Sequence, residues 1–139
     1  MGQPVKVAIM QPYFLPYIGY WQLMHHVDIF VVYDDIEYTK KGWISRNRFL
    51  LNGQPETFSL PIKKDSDFLD VCERQLSETA SAEKHKLIRR LDAAYRKAAY
   101  FREGKSLLDD IFASTETNLF RFIYKSIEQV RGRLGMTNR

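Results

Sequence analysis

The stretch from residue 7 to residue 35 constrains the fold most strongly. An apolar run at Val7–Met10 stops at Gln11-Pro12, an aromatic loop punctuated by prolines follows, and a helical pattern leads into a second apolar run at residues 29–33. Strand, loop, helix and strand within about 30 residues match the size of a βαβ unit. Because ligands bind beyond the carboxyl ends of parallel strands, residues 11–19 and 34–35 are predicted to border a small-molecule site.

The flanking pattern predicts two buried strands and an inserted hairpin. Residues 5–10 and 28–33 are short and apolar on both faces, as in buried parallel strands. The helix between them is predicted to reach about residue 25, with Ile18 and Trp21 facing inward. Asn52-Gly53 between residues 48–51 and 57–60 indicates a hairpin, although Pro55 favours a looser loop than a two-residue turn. A short strand is expected within residues 69–76.

Helical periodicity dominates after residue 77. One apolar stripe runs from Leu87 to Ala98 and is predicted to end by Gly104, a shorter helix covers residues 106–112, and a third stripe ends at Gly135. We therefore expect one α/β domain over residues 1–139 with a Rossmann-like parallel sheet. Residues 1–64 would carry the site, and residues 77–135 would form the helical region. Since only two strands read as parallel, a shortened or truncated version of such a domain is expected.

Composition narrows the classes of function. The chain has 139 residues and a formal net charge of +4, an excess too small to indicate a nucleic-acid-binding protein. Cys72 is the single cysteine, which excludes an intrachain disulfide and favours a reducing compartment. Neither a signal-peptide pattern nor an apolar run of bilayer length is present. We therefore expect a cytoplasmic protein without membrane insertion.

Polar and aromatic side chains follow both predicted strands. Gln11 and Pro12 end the first strand, where they could read a ligand or only shape a turn. Tyr17 and Tyr20 stand three residues apart on one helical face and could stack on a ligand ring or belong to the core. Asp34 ends the second strand and could serve as a general base or Mg²⁺ ligand, or cap a turn.

A cationic segment follows the second strand. Lys40, Lys41, Arg46 and Arg48 fall within nine residues without an intervening acid, and Trp43 and Asn47 lie among them. Arginine presents a fork of donors that fits phosphate or carboxylate. The segment therefore favours a diphosphate or acidic-sugar ligand over the alternative of a solvated loop. Histidine and cysteine spacing predicts no metal site.

Three blocks of the chain resemble the WbqC-like protein family. They are residues 9–20 (IMQPYFLPYIGY), Asp28 with residues 33–35, and residues 41–48 (KGWISRNR). The resemblance covers essentially the whole chain and implies a role in surface-polysaccharide biosynthesis, notably that of O-antigen. Members of the family continue into a second half beyond the region that corresponds to residue 136.

The first block is also similar, less closely, to the nucleotidyltransferases and pantoate–β-alanine ligases. Their His-x-Gly-His motif opens a helix after a strand and a proline loop, and the matching positions here read Tyr17-Ile18-Gly19-Tyr20. This resemblance implies that Gly19 lets a ligand approach the backbone and that the helix N-terminus attracts an anion. Tyrosine replaces both histidines; it donates a hydrogen bond but carries no positive charge at neutral pH.

The residues and the resemblance together predict a group transferase that acts on an anionic nucleotide-linked or sugar substrate, with Mg²⁺ and a nucleotide as candidate cofactors. The predicted catalytic residues are Asp34 and Lys41. The predicted substrate-binding residues are Gln11, Pro12, Tyr13, Tyr17, Gly19, Tyr20, Trp43, Arg46, Asn47 and Arg48. The alternative is a non-catalytic ligand- or nucleic-acid-binding module that kept the pocket and lost the histidines. An open sheet edge would allow a homodimer.

Overall fold

The computed structural model describes residues 2–139 and confirms the mixed α/β class. The predicted domain, 1–139, begins one residue outside this described range. The elements in chain order are β1 (Val7–Met10), α1 (Ile18–His26), β2 (Ile29–Val32), β3 (Arg46–Leu51), β4 (Gln54–Ser59), a 3₁₀ turn (Val71–Glu73), α2 (Ala80–Tyr95), α3 (Phe101–Phe112) and α4 (Leu119–Arg133). No helix within residues 2–139 is long and apolar enough to cross a membrane.

Strands β1 and β2 form the predicted βαβ unit with α1. They pair in parallel, with Val7 opposite Ile29 and Met10 opposite Val32. At the other edge of β2, the N–H of Phe30 donates to the carbonyl of Arg139 (2.7 Å), and the N–H of Arg139 donates to the carbonyl of Asp28 (3.2 Å). These two bonds have the pattern of a parallel bridge. Arg139 therefore lies where a further parallel strand would pair.

The prediction that both strands are buried on two faces is wrong. Met10, Phe30 and Val32 pack against the core cluster, whereas Ile9 on the opposite face is 64% exposed, and Val7 and Val31 are exposed beside it. The core lies on one side of this two-stranded sheet, so alternate side chains on each strand face outward. Rossmann-like topology and a homodimer stay predictions.

The inward face of α1 also differs from the prediction. Tyr20, Trp21 and Met24 are buried, whereas Ile18 is 70% exposed. Successive helical residues are separated by about 100° around the axis, so Ile18 lies roughly opposite Tyr20. The side of α1 that Tyr20 occupies therefore faces the core, and the side that carries Ile18 faces outward.

The hairpin is tighter than the sequence indicated. Leu51 pairs with Gln54, so Asn52 and Gly53 form a two-residue turn with φ angles of 51° and 76°. Positive φ at both positions is typical of a type I′ turn. Pro55 lies opposite Leu50, next to the hydrogen-bonded pair that closes the turn. Pairs alternate along an antiparallel ladder, so Pro55 falls where no N–H is needed.

The second half is helical, with two local differences from the prediction. The strand expected within residues 69–76 is replaced by the 3₁₀ turn and isolated bridges, including Ile62 with Leu76. Helix α2 ends at Tyr95 rather than near Gly104, which lies inside α3. An exposed glycine within a helix costs only about 1 kcal/mol, which packing of the helix offsets. Gly135, with φ 68°, follows α4 as predicted.

Phe14 joins the loop after β1 to the core. Its side chain is fully buried, and its ring contacts those of Phe58, Phe112 and Phe122 at centroid distances of 6.0, 5.8 and 5.4 Å. These three rings come from the hairpin, α3 and α4. The position of the loop therefore depends on packing of the whole molecule around one aromatic side chain.

Candidate functional site

A cleft of about 340 Å³ lies between the loop after β1 and the start of β3. Six of the ten predicted substrate-binding residues line it, and Pro16 is an additional lining residue. Pro16 was not predicted as a site residue, although its place between Tyr13 and Tyr17 was the signal that it would share their surface. The lining residues are Tyr13, Pro16, Tyr17, Trp43, Arg46, Asn47 and Arg48.

Backbone contacts connect the two stretches that form the cleft. The N–H of Phe14 donates to the carbonyl of Ile44 at 2.9 Å. The side-chain amide of Asn47 donates to the carbonyls of Leu15 and Phe14, and its oxygen accepts the N–H of Arg48 at 2.8 Å. Because the amide group of Asn47 is engaged by the backbone, this residue positions the cleft wall.

Leu15 gives the loop its shape. Its φ of 48° lies in the left-handed region, which side chains other than glycine rarely adopt. The chain reverses there, so that Phe14 enters the core while Tyr13 and Tyr17 line the cleft. The amide of Asn47 bonds the carbonyl of this residue and stabilises its unfavourable conformation.

Two arginines share one indole ring in the cleft. The guanidinium carbons of Arg46 and Arg48 lie 4.8 and 4.9 Å from the centroid of the Trp43 ring, within range of cation–π attraction. Arg46 also donates to the carbonyl of Lys41 at 2.7 Å, and its buried Nε has no partner. Within residues 2–139 neither guanidinium lies within 4.0 Å of a carboxylate. The cleft therefore carries two uncompensated positive charges.

The side chain of Tyr17 lies directly against the backbone of Gly19. The ring of Tyr17 is 73% exposed at the cleft. A Cβ atom built on Gly19 would lie 2.4 to 2.6 Å from three outer atoms of that ring. Gly19 is not among the residues that line the cleft. Its missing side chain admits a tyrosine ring of the protein itself.

Gln11, Pro12 and Tyr20 lie behind the cleft wall. Tyr20 is 1% exposed, and its hydroxyl donates to the carbonyl of Gln11 at 3.0 Å. Pro12 is also buried, and the side-chain oxygen of Gln11 accepts the Tyr13 hydroxyl at 3.2 Å. These residues support Tyr13, whose ring centroid is 5.8 Å from that of Tyr20.

Both supporting tyrosines are neutral at physiological pH. Burial raises the pKa of Tyr20 far above its ordinary value, and the nearby Tyr13 adds to this shift. Burial also raises the pKa of Tyr13, with further contributions from Tyr33 and Tyr17. Tyr13 can therefore exchange hydrogen bonds with a ligand but cannot act as a phenolate base near pH 7.

The two predicted catalytic residues do not line the cleft. Asp34 is half-buried, and its carbonyl accepts the N–H of Cys72 at 3.2 Å. Lys41 is exposed and contributes its carbonyl to Arg46. The catalytic roles of both residues stay predictions. Residues 2–139 contain no group of three or more histidine, cysteine or acidic side chains arranged to hold a metal ion.

The cleft is lined by cationic and aromatic side chains. Its lining offers guanidinium donors, aromatic rings and two phenols, and contains no carboxylate, imidazole or thiol. Such a surface attracts an anion and a ring, but it supplies no group that titrates near neutral pH. The fold and cleft define an α/β protein with a cationic, aromatic cleft.

Comparison with known proteins gives the family. Residues 11–139 match the model of the WbqC-like protein family, so the chain belongs to this family. It is 32% identical over 136 residues to "Uncharacterized protein Rv1507c" of Mycobacterium tuberculosis, an alignment that covers 96% of this chain and 58% of the relative. The chain thus spans a little over half of that relative's length. No solved structure matches the chain.

Proposed function

We propose that the cleft binds an anionic nucleotide-linked or sugar substrate and that the protein serves group transfer in surface-polysaccharide biosynthesis. The observation that supports this proposal is the pair of guanidinium groups on Trp43, which have no carboxylate partner within residues 2–139. Family membership supports the pathway.

The environment of Arg46 favours an anionic ligand. Its Nε is buried without a hydrogen-bond partner, and a buried unsatisfied donor costs about 1–3 kcal/mol. A phosphate or carboxylate oxygen in the cleft would neutralise the charge of the guanidinium group, and a small shift of the side chain would let it accept this N–H. Arginine binds such groups through two parallel bonds, and charged hydrogen bonds are about twice as strong as neutral ones.

The aromatic lining favours a ligand with more than an anionic group. Tyr13, Pro16 and Tyr17 form the wall that the first loop contributes, and Trp43 with the arginines forms the other. A volume of about 340 Å³ falls within the range of small-molecule sites. A sugar or base linked to phosphate would fill both parts.

A non-catalytic binding module is the second candidate function. It is favoured by one observation, the absence of a carboxylate, imidazole or lysine amine from the lining of the cleft. A group-transfer enzyme with this cleft would take its acid or base from the ligand, from a residue outside the lining, or from a partner. A binding module would need none of these.

Arg48 offers the cleanest test of binding, because it is exposed and lines the cleft. We expect uridine diphosphate glucose to raise the melting temperature of the wild type, by an amount that grows with ligand concentration. Arg48→Gln should weaken binding about tenfold, the effect of losing roughly 1.4 kcal/mol of charged hydrogen bonding. Arg89→Gln, on the exposed surface of α2, is the matched control. Equal affinity in all three proteins would contradict the charge role.

Release of uridine diphosphate separates the two candidate functions. A transferase should slowly transfer the glucosyl group of the donor to water, releasing glucose and uridine diphosphate, with or without Mg²⁺, and Arg48→Gln should reduce this rate. Binding without release would support the module. Binding of a 20-base oligonucleotide that falls steeply with salt, without binding of the nucleotide sugar, would instead indicate a nucleic-acid-binding protein.

A further inference from the structure

We infer that Gly19 is a positioning residue for Tyr17, whose ring stacks against the ring of a nucleotide ligand. This inference rests on the proposed function, because it assumes that the anionic part of the ligand occupies the arginine side of the cleft. It assigns to Gly19 a role opposite to the one that the sequence implied. The glycine makes room for a protein ring rather than for the ligand.

The side chain of Tyr17 can keep this position only when residue 19 is glycine. A Cβ atom at Gly19 would lie 2.4 Å from the Cε2 atom of Tyr17 and 2.6 Å from both Cζ and the hydroxyl oxygen. Alanine at this position would push the outer half of the ring away. The ring is exposed, so it would move outward without disturbing the core.

Little else holds the Tyr17 ring. It is 73% exposed, and its hydroxyl makes no hydrogen bond within residues 2–139. Tyr17 is the residue that precedes α1, and its carbonyl accepts the N–H of Tyr20 at 3.1 Å. The backbone is therefore fixed, while the side-chain direction depends on the space above Gly19.

Among the aromatic rings that line the cleft, that of Tyr17 is the most accessible for stacking with a ligand. The guanidinium groups of Arg46 and Arg48 lie over the Trp43 ring. Tyr13 packs against Tyr20 and is bonded to Gln11 through its hydroxyl. A ring attached to a phosphate held by the arginines would therefore meet Tyr17, and a nucleobase presents a flat face for such a contact.

The positioning of Tyr17 can be tested without a ligand. In the wild-type chain we expect nuclear Overhauser contacts between the Hα protons of Gly19 and the Hε protons of Tyr17. Gly19→Ala should lose the corresponding backbone contact and shift the Tyr17 resonances, while the rest of the spectrum stays folded. Absence of the contact in the wild type would overturn the positioning role, whatever the cleft binds.

Two probes test stacking: uridine 5′-diphosphate, which has a ring, and inorganic pyrophosphate, which has none. We expect the wild type to bind the nucleotide about tenfold more tightly, a typical effect of stacking one base. Gly19→Ala and Tyr17→Leu should remove most of this difference, because they should weaken binding of the nucleotide much more than binding of pyrophosphate. Gly104→Ala is the matched control, because Gly104 lies in an exposed part of α3 with open space around it.

The outcomes separate this inference from the proposed function. If the wild type binds neither probe, the proposed function and the stacking are both wrong, and the magnetic resonance contact alone decides the positioning role. If the wild type binds both probes with equal affinity, the anion site stands and stacking is wrong. If Gly19→Ala weakens pyrophosphate as much as the nucleotide, the glycine acts on the whole cleft, and specific positioning of Tyr17 is wrong.

Discussion

Replacement of Phe14 by alanine should destabilise the molecule more than any surface change and should loosen the cleft with it. Phe14 is completely buried and contacts three rings from three elements. Its neighbours Tyr13 and Leu15 belong to the loop that forms one wall of the cleft. Loss of the ring would therefore remove the attachment of this wall to the core.

The magnitude follows from burial and from the ring contacts. A buried phenylalanine replaced by alanine costs about 3–5 kcal/mol, which includes the cavity that is left behind. Three aromatic pairs, each worth about 0.5–1.5 kcal/mol beyond area burial, place Phe14 near the upper end of that range. The total stability of a domain is only about 5–15 kcal/mol. We therefore expect Phe14→Ala to lower the free energy of unfolding by about 4–5 kcal/mol.

Urea denaturation followed by circular dichroism measures this difference, and Phe120→Ala is the control. Phe120 is half-buried at the edge of the core and pairs only with Tyr124 among the aromatic residues described, so its loss should cost clearly less. Benzene should raise the melting temperature of Phe14→Ala by entering the cavity, and the wild type should not respond. A loss below about 1.5 kcal/mol, or equal losses in both variants, would refute the role of Phe14 as the aromatic centre.

Two further predictions concern other contacts. Asn47→Ala should lower the free energy of unfolding by about 1–3 kcal/mol, because it removes the two hydrogen bonds that the Asn47 side chain donates to the loop after β1. Amide hydrogen exchange near Leu15 should become faster in this variant. Unchanged exchange there would contradict the role of Asn47 in holding the loop. Burial lowers the pKa of Lys84 below 10.5, so the unfolded chain binds more protons and wild-type stability should rise as the pH approaches 10.5. The free energy of unfolding of the wild type minus that of Lys84→Met should therefore increase between pH 7 and pH 10. A difference that stays constant or falls over this range would contradict the assignment.

The parallel pairing of β1 with β2 could be predicted because the signals are local. Short β-branched runs, a proline loop and a connecting helical segment leave few alternatives over 29 residues, and the observed parallel pairing agrees with the predicted βαβ unit. The exposure of Ile9 could not be predicted in the same way. Burial of a strand face depends on what packs against it, and an apolar run does not reveal whether one or both faces are covered.

The cleft was predictable in part, for reasons that differ between its two sides. The sequence predicted Arg46 and Arg48 in one cationic segment but predicted a strand only from residue 48, whereas β3 begins at Arg46. Two residues apart in a strand, they project to the same face, which explains why both reach Trp43. The left-handed backbone conformation of Leu15 could not be predicted from the sequence. This conformation is unusual for leucine and is imposed by contacts with residues distant in the sequence.

The arrangement on Trp43 bears on why the cleft would favour an anion. Two guanidinium groups about equally distant from one ring repel each other, and each gains only about 0.5–1 kcal/mol from the ring where water has access. Because both guanidinium carbons lie within 4.9 Å of one centroid, they are at most about 10 Å apart, and like charges at this distance near a protein surface repel by about 1–2 kcal/mol. The indole therefore holds the two charges together without neutralising them. An anion bound between them would gain attraction from both and relieve their repulsion, whereas a neutral sugar would do neither, so charge rather than shape would select the ligand on this side.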